Sequence, residues 1–274
     1  MKRIQHLPSR TANAATYLLL GQIPIEAELH KRTLGLFRNI IDNENSVECE
    51  LAFRQLATKN EQSNSWFRKL LVITELYGLP SPYEMLFYPP SKTSWKKLVN
   101  KSVNDYWISK LKSEASEKSS LNYMNYDDAR FGSIHPVWNT CGSEPYSTLR
   151  ACIKSKLLCN SYTLQYDKAK FSKQGNALCP LCAQEEENRE HFILRCSKLN
   201  SARKNFLQCL KTFLRQSISW ALYDELFYSE INTIQLILDC SKFHFLSGDQ
   251  IMTVENISRG LCFKLHQIRS ALLR

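Results

Sequence analysis

Residues 179–196 read CPLCAQEEENREHFILRC and place three cysteines and one histidine within eighteen positions. These residues follow a C-x2-C-x8-H-x4-C spacing and are Cys179, Cys182, His191 and Cys196. Zn²⁺ prefers four tetrahedral ligands drawn from thiolate sulfur and imidazole nitrogen. The spacing therefore predicts a zinc site, and a closed set of four protein ligands predicts a structural rather than a catalytic ion.

The local geometry of this motif sets a constraint on the backbone. Two positions five apart on an ideal α-helix are separated by about 140°, so His191 and Cys196 cannot share one helical face. We expect either a bend in the backbone there or a helix that begins after His191. A chance grouping of cysteines is the alternative, but the closeness of the C-x2-C and H-x4-C elements favours a metal site. The other seven cysteines are expected to be reduced thiols that pack as small apolar side chains.

Positive charge is concentrated around the motif. The 274 residues carry a net charge of +10. The segment from Arg150 to Arg215 contains thirteen basic and five acidic residues, which is an excess of eight positive charges. A basic patch of this kind is the footprint of a surface that binds phosphates. A solvated basic face without a partner is the alternative.

The rest of the sequence predicts a mainly α fold with a small C2HC zinc-knuckle insert. Apolar residues recur at helical spacing from Ile25 to Ile40, from Trp66 to Tyr77 after a Ser65 cap, and from Trp95 to Leu111. Further helices are expected at about 146–160, through Leu199–Phe213, and twice more beyond residue 215. Strand signals are weak, and a hydrophobic content of 43% with 11% aromatics supports a packed core.

The expected location is intracellular, in the nucleus or cytoplasm. No apolar run reaches the roughly 18 residues needed to span a bilayer, and the first six residues, MKRIQH, lack the apolar segment of a secretory signal. No membrane partner is expected.

Several stretches resemble a known family. The segments KSKLLCNSYTLQ at 154–165, KF at 170–171, ALCPLC at 177–182, EHF at 190–192 and Cys196 resemble the zinc-binding region downstream of the reverse transcriptase in non-LTR retrotransposons. The segments LPSRTA at 7–12, YLLLG at 17–21, EAELHKR at 26–32 and HPVW at 135–138 are also similar. The resemblance implies the carboxyl-terminal portion of such a polyprotein, with the upstream reverse transcriptase region of the same polyprotein as a partner.

On this interpretation the chain has four parts. Residues 1–111 resemble the helical region that follows the polymerase palm, 112–147 form a connecting loop, 148–215 are the basic zinc-binding region, and 216–274 are C-terminal helices. No catalytic residues are expected. A polymerase needs paired acids on a palm hairpin to hold two metal ions, and Asp127 and Asp128 follow Asn125 in a segment without strand periodicity, so we interpret them as loop acids.

The basic region also yields a set of expected contacts with RNA or DNA. Cations neutralise phosphates and exposed aromatic rings stack on unpaired bases. The expected phosphate contacts are Lys154, Lys156, Lys168, Lys170, Arg189, Arg195, Arg203 and Lys204, with Tyr162, Tyr166 and Phe171 for stacking. For Lys156 the alternative is a side chain that only packs its stem, and for Tyr162 and Phe171 core packing is the favoured alternative.

Two functions of different kind remain open. The first is a zinc-containing module that binds nucleic acid and positions RNA or target DNA for a reverse transcriptase. The second is a zinc-stabilised structural or protein-interaction module without nucleic-acid binding. A residual polymerase is a weak third interpretation, which depends on Asp127.

Overall fold

The chain is mainly helical. The computed structural model describes residues 1–58, 63–172 and 175–273, of which 68% are helical, with no strand among those residues. The predicted mainly α fold is confirmed. The α-helices are, in chain order, α1 (Asn13–Leu20), α2 (Ile25–Ile41), α3 (Val47–Thr58), α4 (Trp66–Leu76), α5 (Pro82–Phe87), α6 (Lys92–Ser116), α7 (Pro136–Asn139), α8 (Pro145–Leu158), α9 (Gln165–Ser172), α10 (Asn200–Ser217), α11 (Trp220–Tyr228), α12 (Glu230–Leu238) and α13 (Gly248–Leu272).

The chain divides into two compact units. One consists of residues 1–21 and 112–274, and the other of residues 22–111. The expected divisions at 147 and 215 both fall inside the first unit. Residues 1–21, which the sequence groups with the following helices, belong to that unit as well.

The smaller unit, 22–111, is built on the three apolar stripes that the sequence predicts. Trp95 is 2% exposed, and its indole Nε1 donates a hydrogen bond to the carbonyl of Leu34 at 3.1 Å, which joins α6 to α2. The Ser65 cap is confirmed, since its hydroxyl accepts from the Arg68 amide at 3.1 Å. Helix α6 begins at Lys92, before the apolar stripe that starts at Trp95, because the Ser91 hydroxyl caps it by accepting from the Ser94 amide at 3.2 Å.

In the larger unit, α8 and α10 both pack on α13. Gly260 of α13 allows close contact with α10, since a Cβ atom there would lie 2.8 Å from Cε1 of Phe206. Beyond α10, the described residues up to 273 contain three α-helices, α11 to α13, where the sequence predicted two. The additional break falls at Ser229, whose hydroxyl accepts from the Ile231 amide and starts α12.

The expected connecting segment, 112–147, is ordered and partly buried. It contains the end of α6, a 3₁₀ turn at Ser119–Leu121, α7 and the start of α8. His135 and Asp239 form a buried pair at 3.0 Å, and the Asn125 amide donates to the same Asp239 carboxylate at 2.6 Å. These bonds tie the segment to the residue after α12.

Among the described residues, none of the helices combines the length and apolarity required to cross a bilayer.

A buried ion pair fixes α8 to α13. Lys154 Nζ lies 2.7 Å from both the Glu255 carboxylate and the Ser258 hydroxyl, and the side chains of Lys154 and Glu255 are fully buried. An unpaired buried charge is strongly destabilising, whereas a pair replaced on both sides by apolar groups is often tolerated.

We expect Lys154→Met to lower the free energy of unfolding by about 3–5 kcal/mol, because Glu255 is left without a counter-charge. The double variant Lys154→Met/Glu255→Met should recover most of that loss. Urea unfolding followed by circular dichroism measures both. Lys156→Met, on the same helix but partly exposed, is the control and should change stability by less than about 0.5 kcal/mol. A loss for Lys154→Met no larger than that of the control would contradict the prediction.

Candidate metal centre and basic surface

The first two ligands of the predicted metal site lie in a tight loop. The Cys179 amide donates to the carbonyl of Glu185 at 2.8 Å, and the Ala183 amide donates to the carbonyl of Cys179 at 2.8 Å. Leu178 and Glu186 form an isolated antiparallel bridge that closes this loop. The backbone therefore folds Cys179 and Cys182 onto one side of a short hairpin.

The second two ligands lie on a π-helical turn, His191–Arg195. The Cys196 amide donates to the carbonyl of His191 at 2.8 Å, which is an i→i+5 hydrogen bond in place of the usual i→i+4 bond. Cys196 then leaves the helical conformation at ψ 117°. The sequence allowed either a bent backbone or a helix that begins after His191, and the structure shows the bent backbone.

The four side chains converge. Their ligand atoms all lie within 4.8 Å of one another. Sγ of Cys179 is 3.8 Å from Sγ of Cys196, and Sγ of Cys182 is 3.3 Å from Nε2 of His191. This cluster of three cysteines and one histidine can hold a metal ion.

A carboxylate orients the histidine. Oε2 of Glu185 lies 3.2 Å from Nδ1 of His191, so that Nε2 faces the sulfur atoms. Such a partner fixes the tautomer and ring orientation of a ligating histidine. Arg195 approaches the same carboxylate oxygen at 3.5 Å. This arrangement, with a carboxylate on Nδ1 and Nε2 directed at the thiols, is typical of histidines that bind metals.

The pKa values of the thiols follow their surroundings. Burial raises the pKa of Cys196 to about 12 and also raises the pKa of Cys179. For Cys182 burial acts in the same direction but is outweighed by hydrogen bonds from the Gln184 amide and from Cys179, so its pKa is lowered. A metal cation binds thiolates and displaces these protons.

The ligand-bearing segment is attached to the helices around it by buried charged side chains. The fully buried carboxylate of Glu187 accepts two hydrogen bonds from Arg269 of α13, both at 2.6 Å. Arg203 of α10 donates to the carbonyls of Ile193 and Cys196 at 2.6 and 3.1 Å. The middle of the motif is thus held by α13, and its carboxyl-terminal end by α10.

Four of the expected nucleic-acid contacts are wrong, because their side chains are committed inside the protein. Lys154 is fully buried in its pair with Glu255. Arg189 donates to the carbonyls of Leu157 and Leu158, where it caps the end of α8, and Arg203 holds the ligand-bearing segment as described. The fourth, Tyr162, follows the packing alternative, stacked on Phe192 with ring centroids 5.5 Å apart.

The other expected contacts remain predictions, and most of these side chains are exposed. Phe171 is 72% exposed, so the core-packing alternative for this residue is wrong. The exposed members are Lys168, Lys170, Arg195 and Lys204, while Tyr166 is 38% exposed and Lys156 is partly exposed. Lys173, which contributes to the basic count, lies outside the described residues.

Sequence reasoning missed the supporting residues of the site. Glu185, Glu187 and Arg269 appear in the sequence as ordinary charged residues, and only the fold brings Arg269 to Glu187 across 82 positions. For Glu185 a signal existed, since a ligating histidine needs a carboxylate or carbonyl partner and the segment between Cys182 and His191 contains four glutamates.

Comparisons of this chain with protein-family models, with curated proteins and with solved structures found no match.

We expect the purified protein to bind one Co²⁺ per chain and to develop the intense visible bands of tetrahedral thiolate coordination. Cys182→Ser should abolish these bands and lower the melting temperature, because one of four ligands is lost. Cys209→Ser is the matched control, since Cys209 is an exposed thiol outside the cluster. Equal spectra and equal melting for the two variants would argue against a metal site.

The carboxylate partner gives an independent prediction. Glu185→Gln should weaken metal affinity about 10–100-fold, since it removes the charge that orients and polarises His191. Competition with a chromophoric chelator measures the affinity. Glu186→Gln changes an exposed neighbour and should leave the affinity unaltered. An equal affinity for the two variants would show that the contact of Glu185 with His191 has no role in binding.

Proposed function

We propose that this chain is a zinc-containing, nucleic-acid-binding C-terminal fragment of a non-LTR retrotransposon reverse transcriptase, which positions RNA or target DNA. The observation that carries the proposal is the convergence of four thiol and imidazole ligands within 4.8 Å, next to a basic segment. The resemblance of residues 154–196 to the zinc-binding region of that family links this site to nucleic acid. In this proposal the upstream reverse transcriptase region of the same polyprotein is the partner.

Zinc is the ion that best suits the ligand set. A tetrahedral Zn²⁺ with bonds of about 2.3 Å to sulfur and 2.0–2.1 Å to nitrogen separates two sulfurs by about 3.8 Å, and a sulfur from a nitrogen by about 3.6 Å. The corresponding distances are 3.8 Å for Cys179 and Cys196, and 3.3 Å for Cys182 and His191. In this proposal the hairpin and the π turn together form the C2HC zinc knuckle.

The ion would have a structural role. Four protein ligands fill a tetrahedral shell and leave no position for a reactive water. Bound zinc would hold the hairpin at Cys179–Cys182 against the turn at His191 and so keep the basic segment in one conformation. Zinc binding of this kind contributes on the order of 10 kcal/mol.

Nucleic acid would be bound by the exposed cations. Lys168 and Lys170 lie on α9, Arg195 on the π turn and Lys204 on α10, and each is exposed. Phe171 follows Lys170 and offers an exposed ring for stacking on an unpaired base. Proteins that bind single-stranded nucleic acid combine cations, which contact the backbone, with exposed aromatic rings, which stack on the bases.

We also propose that the chain by itself is not a polymerase. Asp127 and Asp128 lie in a turn, and the Asp128 carboxylate accepts from the Asn125 side chain at 2.7 Å and pairs with His244 at 3.2 Å. These contacts support a structural role for Asp128.

The alternative, a zinc-stabilised structural or protein-interaction module, is favoured by one observation. Three of the cations that the sequence assigned to phosphates, Lys154, Arg189 and Arg203, hold the protein together instead. A pull-down that recovers a protein partner after nuclease treatment, together with no detectable nucleic-acid binding, would support this alternative.

Binding should depend strongly on salt. If about four phosphates of a single strand are neutralised, affinity for a labelled single-stranded RNA should fall roughly fifty-fold between 50 and 200 mM salt. Lys168→Gln/Lys170→Gln should lower the slope of log affinity against log salt by about 1.4, since two phosphate contacts are lost. Fluorescence anisotropy measures both quantities.

The matched control is Lys118→Gln/Lys264→Gln, which removes two exposed lysines of the same unit that lie outside the basic region. Its slope should equal that of the wild type. Undetectable or salt-insensitive binding of both RNA and DNA would refute the proposed function.

A further inference from the structure

The smaller unit contains a groove of about 340 Å³ between α2 and the first half of α6. Its walls are rich in basic residues, which come from both helices and are Lys31, Arg32, Arg38, Lys92 and Lys96. Glu28 is the acidic residue among the described residues that line it. The groove belongs entirely to the unit 22–111 and is separate from the metal cluster, which lies in the other unit.

Part of this charge is already compensated. Arg38 donates to Asp42 at 2.9 Å, and Lys92 pairs with the same carboxylate at 2.6 Å. Together, with the Lys92 hydrogen bond as the larger influence, they hold the pKa of Asp42 below its ordinary value. Lys31 makes a longer contact with Glu28 at 3.4 Å. Five cations against these two acids leave an excess of three positive charges.

Two cations of the groove have no partner among the residues that the structure describes. Arg32 and Lys96 are exposed, and neither makes a hydrogen bond or ion pair within the described part of the chain. One stands on α2 and the other on α6, so the unpaired charge lies on both walls.

The floor of the groove is apolar and fixed in position. Trp95 and Val99 are 2% and 4% exposed, and the indole nitrogen of Trp95 is occupied by the carbonyl of Leu34. Arg38 is held by the carbonyl of Pro90 at 2.6 Å as well as by Asp42. Gly35 borders the groove, and a Cβ atom at this position would meet nothing within 4 Å. The groove is therefore preformed.

We propose that this groove is a second nucleic-acid site, in which the walls neutralise successive phosphates of a single strand. A single small anion binds best where several donors converge on one point, whereas here the cations are divided between two helices. Arg32 and Lys96 contact the phosphates directly, while Lys31 and Lys92 add a longer-range field. Because Trp95 is buried, the groove binds the backbone of the strand and does not stack its bases.

The test uses the full metal-loaded chain and labelled single-stranded RNA, with anisotropy measured across a salt series. Arg32→Gln/Lys96→Gln should lower the salt slope by about 1.4 and, by loss of counterion release, weaken binding about 25-fold at 0.1 M salt. Lys97→Gln is the control, since Lys97 is exposed on α6 next to Lys96 but does not line the groove. It should change affinity by less than about 5-fold, with a slope change no greater than about 0.7.

Gly35 provides a second test that leaves the cations in place. Gly35→Glu projects a carboxylate into the groove and should weaken binding about tenfold or more, whereas Gly35→Ala should bind as the wild type does and melt at the same or a higher temperature. The proposal would be overturned if Gly35→Glu and Arg32→Gln/Lys96→Gln both bound RNA as tightly as the wild type does. The proposal would also be overturned if these variants lost affinity for pyrophosphate but kept the wild-type affinity for RNA. That result would show that the groove binds small anions instead.

The proposal for the groove and the proposed function of the basic zinc-binding region can be refuted independently. Loss of binding in Lys168→Gln/Lys170→Gln with none in Arg32→Gln/Lys96→Gln refutes the groove and leaves the proposed function standing. Loss of binding in Arg32→Gln/Lys96→Gln with none in Lys168→Gln/Lys170→Gln supports the groove. It would also show that the two lysines of α9 do not contact the nucleic acid.

Discussion

The convergence of four ligand side chains is the constraint on which the larger unit depends. Cys179 and Cys182 are presented by a hairpin, while His191 and Cys196 lie five positions apart, a spacing that an α-helix cannot bring to one point. The π turn at His191–Arg195 solves this problem with one i→i+5 hydrogen bond. The side chains around the turn support it, because Glu185 orients His191 and Arg203 donates hydrogen bonds to the carbonyls of Ile193 and Cys196.

Buried ionic groups hold this arrangement to the helices. Glu187 with Arg269 connects the ligand-bearing segment to α13, and Lys154 with Glu255 connects α8 to the same helix. The buried pair of His135 and Asp239 attaches the segment before α8. In each case burial would penalise either charge alone, so loss of one partner would destabilise the packing that the pair connects. Part of the positive charge near the motif, that of Lys154, Arg189 and Arg203, therefore maintains the fold, and the charge available to a ligand is that of the exposed lysines and arginines.

The sequence predicted the parts of the structure that depend on local pattern. Apolar spacing located α2, α4, α6, α8, α10 and α13. The spacing of the motif identified the four side chains that converge and the need for a bent backbone. What sequence could not predict depends on contacts between distant positions. Nothing around Lys154 distinguishes it from Lys170 as a phosphate ligand, because its burial results from a partner 101 residues away. The groove between α2 and α6 was missed for the same reason, since its cations become neighbours only when the two helices pack.

The contact of Arg203 with the carbonyls of Ile193 and Cys196 has a consequence for the evolution of this chain. Six residues separate Cys196 from Arg203, and they include the turn that starts α10. An insertion or deletion in this interval would rotate the guanidinium away from the carbonyls that it binds. Homologous sequences should therefore keep the interval at constant length even where its residues vary, and a histidine, cysteine and arginine at these distances form a longer signature than the ligands alone.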